Sequence, residues 1–192
     1  MNAGRCHIMS GMNKPTKVEK KTPVLKWDKN AVFRTTRCFS PSNNGYVGGF
    51  PLGFLKYIKE HEWWGKKRAH LCSGGIDDPQ AVRVDIKPET NPTHCEDAGN
   101  TSLPDNEFDC VIIDPPYSRD LAKELYGTEK HFHGIDYFTK EASRICKSGG
   151  LIITLSYQVP RRIPNCNFIA VVGVYQAIQV ANMRCLTVSR KI

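Results

Sequence analysis

The apolar run Phe108-Asp109-Cys110-Val111-Ile112-Ile113 ends in Asp114-Pro115-Pro116-Tyr117: an acid, two prolines and an aromatic ring. These residues suit chemistry on a planar amine. An exocyclic amine on an aromatic ring is a poor nucleophile, because its lone pair is delocalised into the ring. Hydrogen bonds from its two protons to the Asp114 carboxylate and to a nearby backbone carbonyl favour a pyramidal nitrogen and stabilise the positive charge that grows as it attacks an electrophile. Pro115 and Pro116 have no N–H, so the loop offers acceptors without competing donors, and their fixed φ angles hold those acceptors in place. Tyr117 can stack on the ring, a contact worth roughly 1–3 kcal/mol per base. Proline pairs also end ordinary buried strands, so the motif alone leaves a purely structural reading open.

Such an acid acts only if a framework holds it beside a second ligand site. Apolar runs with turn residues between them occur at Ala69–Cys72, Ala81–Ile86, Thr93–Glu96, Cys110–Ile113, Leu151–Tyr157, Phe168–Tyr175 and Arg184–Val188, and these predict seven strands. Phe50–Glu60, with Leu52, Leu55 and Ile58 at helical spacing, and Phe138–Lys147 predict helices. Ser148-Gly149-Gly150 follows the second, its glycines suited to a left-handed helix C-cap. Residues 30–40 hold either a short strand or an extended strap. Strands separated by helices predict an α/β fold, a doubly wound, mostly parallel sheet with ligand sites beyond the strand C-terminal ends. About eight residues separate the last two runs, which predicts an antiparallel C-terminal hairpin at the sheet edge. The expected organisation is one domain over residues 30–192 behind a basic, flexible arm, residues 1–29.

Further landmarks stand in order around the loop. His70-Leu71-Cys72-Ser73-Gly74-Gly75 places glycines after an apolar run, where backbone can approach a ligand closely. Val82-Arg83-Val84-Asp85 ends a strand in an acid, and Glu96-Asp97-Ala98 precedes Leu103-Pro104-Asp105-Asn106-Glu107-Phe108-Asp109. Downstream comes Glu141-Ala142-Ser143-Arg144-Ile145-Cys146-Lys147-Ser148-Gly149-Gly150-Leu151-Ile152-Ile153. From about Gly45 to Lys191 the ordered set resembles the class I methyltransferases. It resembles in particular their amino-methylating members, whose hallmark is Asp/Asn/Ser-Pro-Pro-Tyr/Phe/Trp at the end of the fourth strand.

The resemblance implies a Rossmann-like fold, S-adenosyl-L-methionine as cofactor, and Asp114, Pro115, Pro116 and Tyr117 as the catalytic loop. It further implies cofactor binding by Cys72, Ser73 and Gly74, by Asp85 on the ribose hydroxyls, by Asp97 on the adenine amino group and by Ala98 near its ring. Gly45-Tyr46-Val47-Gly48-Gly49-Phe50 resembles a cofactor-contacting segment, which adds Gly48 and Gly49, although a glycine-rich turn before a helix explains it as well. The implied reaction is adenine-specific N-methylation of a nucleobase in DNA or RNA. The same fold acting on a protein glutamine or a small arylamine, or serving as a non-catalytic cofactor- or nucleic-acid-binding module, stays open.

Two features depart from the family pattern. About eight residues separate Gly74 from Arg83, too few for the usual crossover helix. Ser118–Asp136 spans only 19 residues, too few for a target-recognition domain. That insert, with Tyr126, His131, Phe132 and His133, is expected to cap the substrate pocket or simply to cover the sheet end. Arg119 and Lys123 suit a phosphate contact and equally a solvated helix face, Tyr157 and Gln158 are expected near the pocket, and Arg161 and Arg162 just beyond them would add a basic rim.

Composition bounds the partners. Residues 1–70 hold 14 Lys/Arg against 4 Asp/Glu, whereas residues 71–192 hold 13 against 15, so the excess behind the net charge of +8 lies in the first third. A basic arm on a near-neutral body suits a nucleic-acid partner through counterion release, and equally a solvated tail. The eight cysteines form no C-x-x-C pair and mostly sit in apolar runs, so free thiols are expected and no metal site. No stretch reaches the roughly 20 apolar residues of a membrane span, and no signal-peptide core opens the chain. These features predict a cytoplasmic protein.

Overall fold

A computed structural model describes residues 32–40, 50–176 and 183–192; the basic arm, Gly48 and Gly49 lie outside the described residues. In chain order the strands are β1 (Phe33–Phe39), β2 (Arg68–Leu71), β3 (Val82–Asp85), β4 (His94–Cys95), β5 (Phe108–Ile113), β6 (Cys146–Ser156), β7 (Cys166–Gln176) and β8 (Arg184–Lys191). They form one sheet in the order β1-β7-β8-β6-β5-β2-β3-β4. Every pairing is parallel except those of β8, which runs antiparallel to both β6 and β7.

The strand β5 lies mid-sheet because Cys110-Val111-Ile112-Ile113 can be buried on both faces. Cys110 and Ile112 join Phe54, Tyr57 and Ile58 of helix α1 (Phe54–Glu60) in one core cluster. Val111 and Ile113 join Phe138, Ala142 and Ile145 of helix α3 (Ile135–Ile145) in the other. The alternation of strand side chains therefore builds two apolar layers around one sheet.

All seven predicted runs become strands, and β1 is an eighth. It pairs in parallel with β7 from Phe33↔Ala170 to Phe39↔Gln176, so the β7–β8 hairpin sits one strand in from the edge. Phe-Arg-Thr-Thr-Arg-Cys-Phe anchors β1 through Phe39, whose ring meets Phe54 at 5.9 Å and Tyr57 at 5.6 Å, while its other positions stay largely exposed. Helix α1 is shorter than predicted, starting after Gly53 at φ 85°. The glycine C-cap expected for α3 is absent: Cys146 is already extended and pairs with Phe108. Gly149, at φ 79°, instead serves an excursion of β6 that restores its register at Leu151.

The crossover from β2 to β3, Cys72–Ala81, contains no helix, as its length requires. An ionic cluster fills the space beside β2. Arg68 donates from Nε and Nη2 to the two carboxylate oxygens of Asp78 at 2.6 and 2.5 Å, and His70 Nε2 lies 3.1 Å from Asp78 Oδ2. The Arg68 guanidinium also lies 4.5 Å from the centre of the Trp64 ring. All three ionisable groups are more than nine-tenths buried. Burial lowers the His70 pKa, and hydrogen bonding to Asp78 opposes that only in part.

Asp78→Ala leaves Arg68 buried without its acceptor and should cost about 3–5 kcal/mol in denaturant unfolding. Since folded His70 holds a proton less tightly than the unfolded chain, its contribution to stability should decline as pH falls through about 6.5. His70→Gln should flatten that decline in thermal unfolding curves; an unaltered pH dependence would remove His70 from this role.

Candidate active site

The C-terminal ends of β2, β3 and β5 meet at a cleft of about 400 Å3. Backbone hydrogen bonds join them to one another and to the end of β4. Ser73 N–H donates to Val84 O at 3.0 Å, Glu96 N–H to Asp85 O at 3.1 Å and Asp114 N–H to Leu71 O at 3.4 Å. Turning the chain out of β2 places Cys72 at φ 56°, a left-handed conformation uncommon for a residue with a side chain. Gly74 follows at φ 49°, and Ser73 Oγ is buried without a partner.

Asp85 couples this loop to the end of β3. Its Oδ2 accepts from Gly74 N–H at 2.7 Å and its Oδ1 from Lys87 N–H at 2.9 Å. Asp97 is fixed similarly, accepting from Gly99 N–H at 2.8 Å and from the Tyr137 hydroxyl at 3.1 Å. A Cβ at position 99 would sit 1.9 Å from the Tyr137 ring, so a larger residue there would displace that ring from Asp97. Ala98 is buried beside Phe138 in the α3-side core.

Asp114 stands at the end of β5 in the cleft wall. Its Oδ1 accepts from the Tyr117 hydroxyl at 2.7 Å, and Arg184 Nη1 donates to the Tyr117 oxygen at 3.2 Å. Burial pushes the Asp114 carboxyl up to about 7, against the opposing pull of the Tyr117 hydrogen bond and the Arg184 charge. Burial also raises the neighbouring Cys72 thiol well above its usual range, helped by Asp85, Asp114 and Asp97, so Cys72 stays protonated and is no nucleophile. Asp77, Asp85, Asp97 and Asp114 line the cleft against Lys56 and Lys87, a balance that favours a ligand bearing positive charge.

The structure brings Cys72, Ser73, Gly74, Asp85, Asp97, Ala98, Asp114 and Pro116 to one cavity. Pro115 is buried behind its wall, and Tyr117 packs against Tyr157, with ring centres 4.5 Å apart. The insert after the loop begins at Ser118, whose Oγ caps the single turn α2 (Arg119–Leu121) by accepting from Leu121 N–H. A π-helical turn (Ala122–Tyr126) and a 3-10 turn (Glu129–His131) follow. Tyr126, Thr128, His131 and Phe132 line the cleft, whereas His133 lies against Tyr137 and Arg119 and Lys123 are exposed. Phe50, Pro51 and Leu52 also line it. Sequence reading missed Lys87, whose N–H meets Asp85 two positions away, and Tyr137 and Arg184, whose contacts span 40 and 67 positions that no local pattern signals. The seven described cysteines are free thiols. No described helix is long and apolar enough to cross a membrane.

No protein-family model and no curated protein matches the sequence. Among solved structures, the putative methyltransferase yhhF from Escherichia coli superposes with a TM-score of 0.50 at 9% identity, over 77% of this chain and 89% of that one. A putative S-adenosylmethionine-dependent methyltransferase from Listeria monocytogenes gives 0.49 at 10% identity, over 73% and 97%. The Burkholderia thailandensis 1,6-didemethyltoxoflavin-N1-methyltransferase, crystallised with S-adenosylhomocysteine, gives 0.49 at 9% identity, over 71% and 75%. Strand order and the first of these superpositions define the fold as that of the class I methyltransferases.

Because folded Asp114 binds its proton more tightly than the usual carboxylate, its contribution to stability is complete at low pH and is lost as pH rises from about 4 to 7. Asp114→Asn should therefore unfold at a higher temperature than wild type at pH 8, with the gap shrinking toward pH 5. The difference is bounded by about 1.4 kcal/mol per pH unit. Parallel curves for the two proteins would show that the carboxyl is not held in this way.

Proposed function

We propose that the protein transfers a methyl group from S-adenosyl-L-methionine to the exocyclic amino nitrogen of a nucleobase, with adenine in DNA or RNA as the favoured substrate. The observation that carries the reading is Asp114 in the wall of an acidic cleft, with its Oδ1 held by Tyr117 and its other oxygen unclaimed by any described side chain. The cofactor supplies an electrophilic methyl on a cationic sulfonium. Its chemistry fits the residues present: carboxylates for the positive charge, Asp85 to accept from the ribose hydroxyls, Asp97 for the adenine amino group, and Ala98 and Phe138 for an apolar ring face.

In this reading Asp114 accepts a hydrogen bond from the amine and would stabilise the charge that forms on nitrogen as the N–C bond is made and the methyl–sulfur bond breaks, its electron pair leaving with sulfur. A neutral arylamine is too weak an acid to ionise first, so the proton leaves after attack and no strong base is required. A carboxyl near 7 stabilises the developing charge fully only when ionised, and a neighbouring cation favours that form. Phe132 and His131, which line the cleft with Pro116, offer surfaces for a base ring. An insert of this length leaves recognition to the cap and to phosphate contacts, and supports a base presented from a single strand or flipped from a duplex. The lysines and arginines of the first third support a polyanionic partner.

Incubating the full chain with methyl-labelled cofactor and separate single-stranded DNA, duplex DNA, RNA and protein pools should label nucleic acid, at adenine. Asp114→Ala should reduce turnover about 100-fold or more, the loss typical of removing one group that stabilises transition-state charge. Its cofactor affinity should stay within a few-fold of wild type. Label confined to protein, or unchanged turnover in the variant, would overturn the reading.

A further inference from the structure

We propose that Arg184, the first residue of β8, is the positioning residue for the Asp114 carboxylate: by donating to the Tyr117 oxygen it commits the Tyr117 proton to Asp114 Oδ1 and so reserves the other carboxylate oxygen for the amine. The inference deepens the proposed reaction and rests on it. The geometry is a chain of two hydrogen bonds, Arg184 Nη1 to Tyr117 Oη at 3.2 Å and Tyr117 Oη to Asp114 Oδ1 at 2.7 Å. A guanidinium donates and never accepts. With Arg184 on one side, the phenol oxygen acts there as acceptor, and its single proton is directed at Asp114.

A comparison within the molecule separates this arginine from a structural one. Arg68 is buried and engages both oxygens of Asp78. Arg184 is 8% exposed, donates from Nη1 to a neutral phenol, and has Nη2 buried without a partner among the described residues. A buried guanidinium so poorly matched is unfavourable for folding. What it gains is proximity to the reacting carboxyl. The topology delivers it there, because β8 is antiparallel to β6 and pairs Cys185 with Ser156, which sets the start of β8 at the C-terminal edge of the parallel strands. Tyr157, just past Ser156, supports the Tyr117 ring.

Arg184 also acts on Asp114 as a charge. The groups that act on Asp114 are Tyr117 from its own loop and Arg184 from β8, while Cys72, Asp85, Asp97, Tyr126 and His131 line the same cleft. Arg184 favours the ionised carboxyl, the form that best stabilises charge on the amine, against burial.

The test uses the full chain with Arg184→Met, Arg184→Lys and Tyr117→Phe. Carboxyl 13C NMR of the cofactor-free protein, with Asp114 assigned by difference from Asp114→Asn, reads its titration directly. The midpoint near 7 should move upward by about one pH unit in Arg184→Met and in Tyr117→Phe, and return toward wild type in Arg184→Lys. In methyl transfer, Arg184→Met should lower kcat at least about 10-fold with KM for the cofactor within about twofold, and the acid limb of the kcat profile should shift upward in step. In the Tyr117→Phe background the same substitution should cost much less, since the link is already cut.

A kcat loss with an unmoved Asp114 midpoint would reduce Arg184 to a structural residue, and an unchanged kcat and midpoint would remove it from the site. If Arg184→Met does not fold, Arg184→Lys and Tyr117→Phe decide alone: an unmoved midpoint in Tyr117→Phe overturns the proposal. A wild-type protein that methylates nothing sinks the proposed reaction, while the titration still rules on Arg184.

Discussion

A carboxyl group at the end of a buried apolar strand must either give up its charge or be given partners that compensate for lost water. Asp114 is held between these outcomes. Burial moves its titration to about 7, and a phenol backed by a guanidinium keeps it from rising further. The two prolines that follow it add no N–H that could bind and neutralise it. The arrangement is costly for folding at neutral pH and useful for chemistry, because the acceptor is poised where a small electrostatic change alters its protonation.

The same constraint explains the surroundings. Asp85 and Asp97 line the same cleft as Asp114, and each is fixed by backbone N–H groups or a tyrosine hydroxyl. They thus form a preorganised negative surface at little further cost in ordering. The loop that brings Gly74 to Asp85 lacks the helix that usually stiffens such a crossover. Its stiffness comes from Asp78, tied to β2 through Arg68 and His70 beneath Trp64. A short ionic anchor does here what helix packing does elsewhere, and it holds the mouth of the cleft with about ten residues.

Much of the fold was legible because the determinants are local. Continuous apolar runs such as Cys110–Ile113 and Leu151–Tyr157 announce strands buried on both faces, and the missing crossover helix could be inferred from chain length alone. The strand-end acids Asp85 and Asp114 stand where strand boundaries put them. The parts that were not legible depend on distant pairing. Residues 33–39 alternate weakly and become a strand only because β7 offers an unpaired edge and Phe39 finds Phe54 and Tyr57. Gly149 and Gly150 have the composition of a helix cap, yet Cys146 pairs with Phe108 first, so the left-handed residue is used by a strand excursion. At the site, Arg184 was legible as a strand residue and not as a partner of Tyr117, because 67 positions separate them.

The two buried arginines show why sequence and structure must be joined to tell support from function. Both begin a strand, and both are more than nine-tenths buried. Arg68 has a carboxylate shaped to its fork, so removing either partner exposes a full desolvation penalty and the pair behaves as scaffold. Arg184 faces a neutral phenol and leaves a donor idle, a poor bargain for stability. Selection for stability alone would replace such a cation with a methionine or leucine that fills the same volume. Its position at the head of the one antiparallel strand, where the sheet order brings it level with the end of β6, therefore argues that the demand on it comes from the carboxyl it steadies through Tyr117.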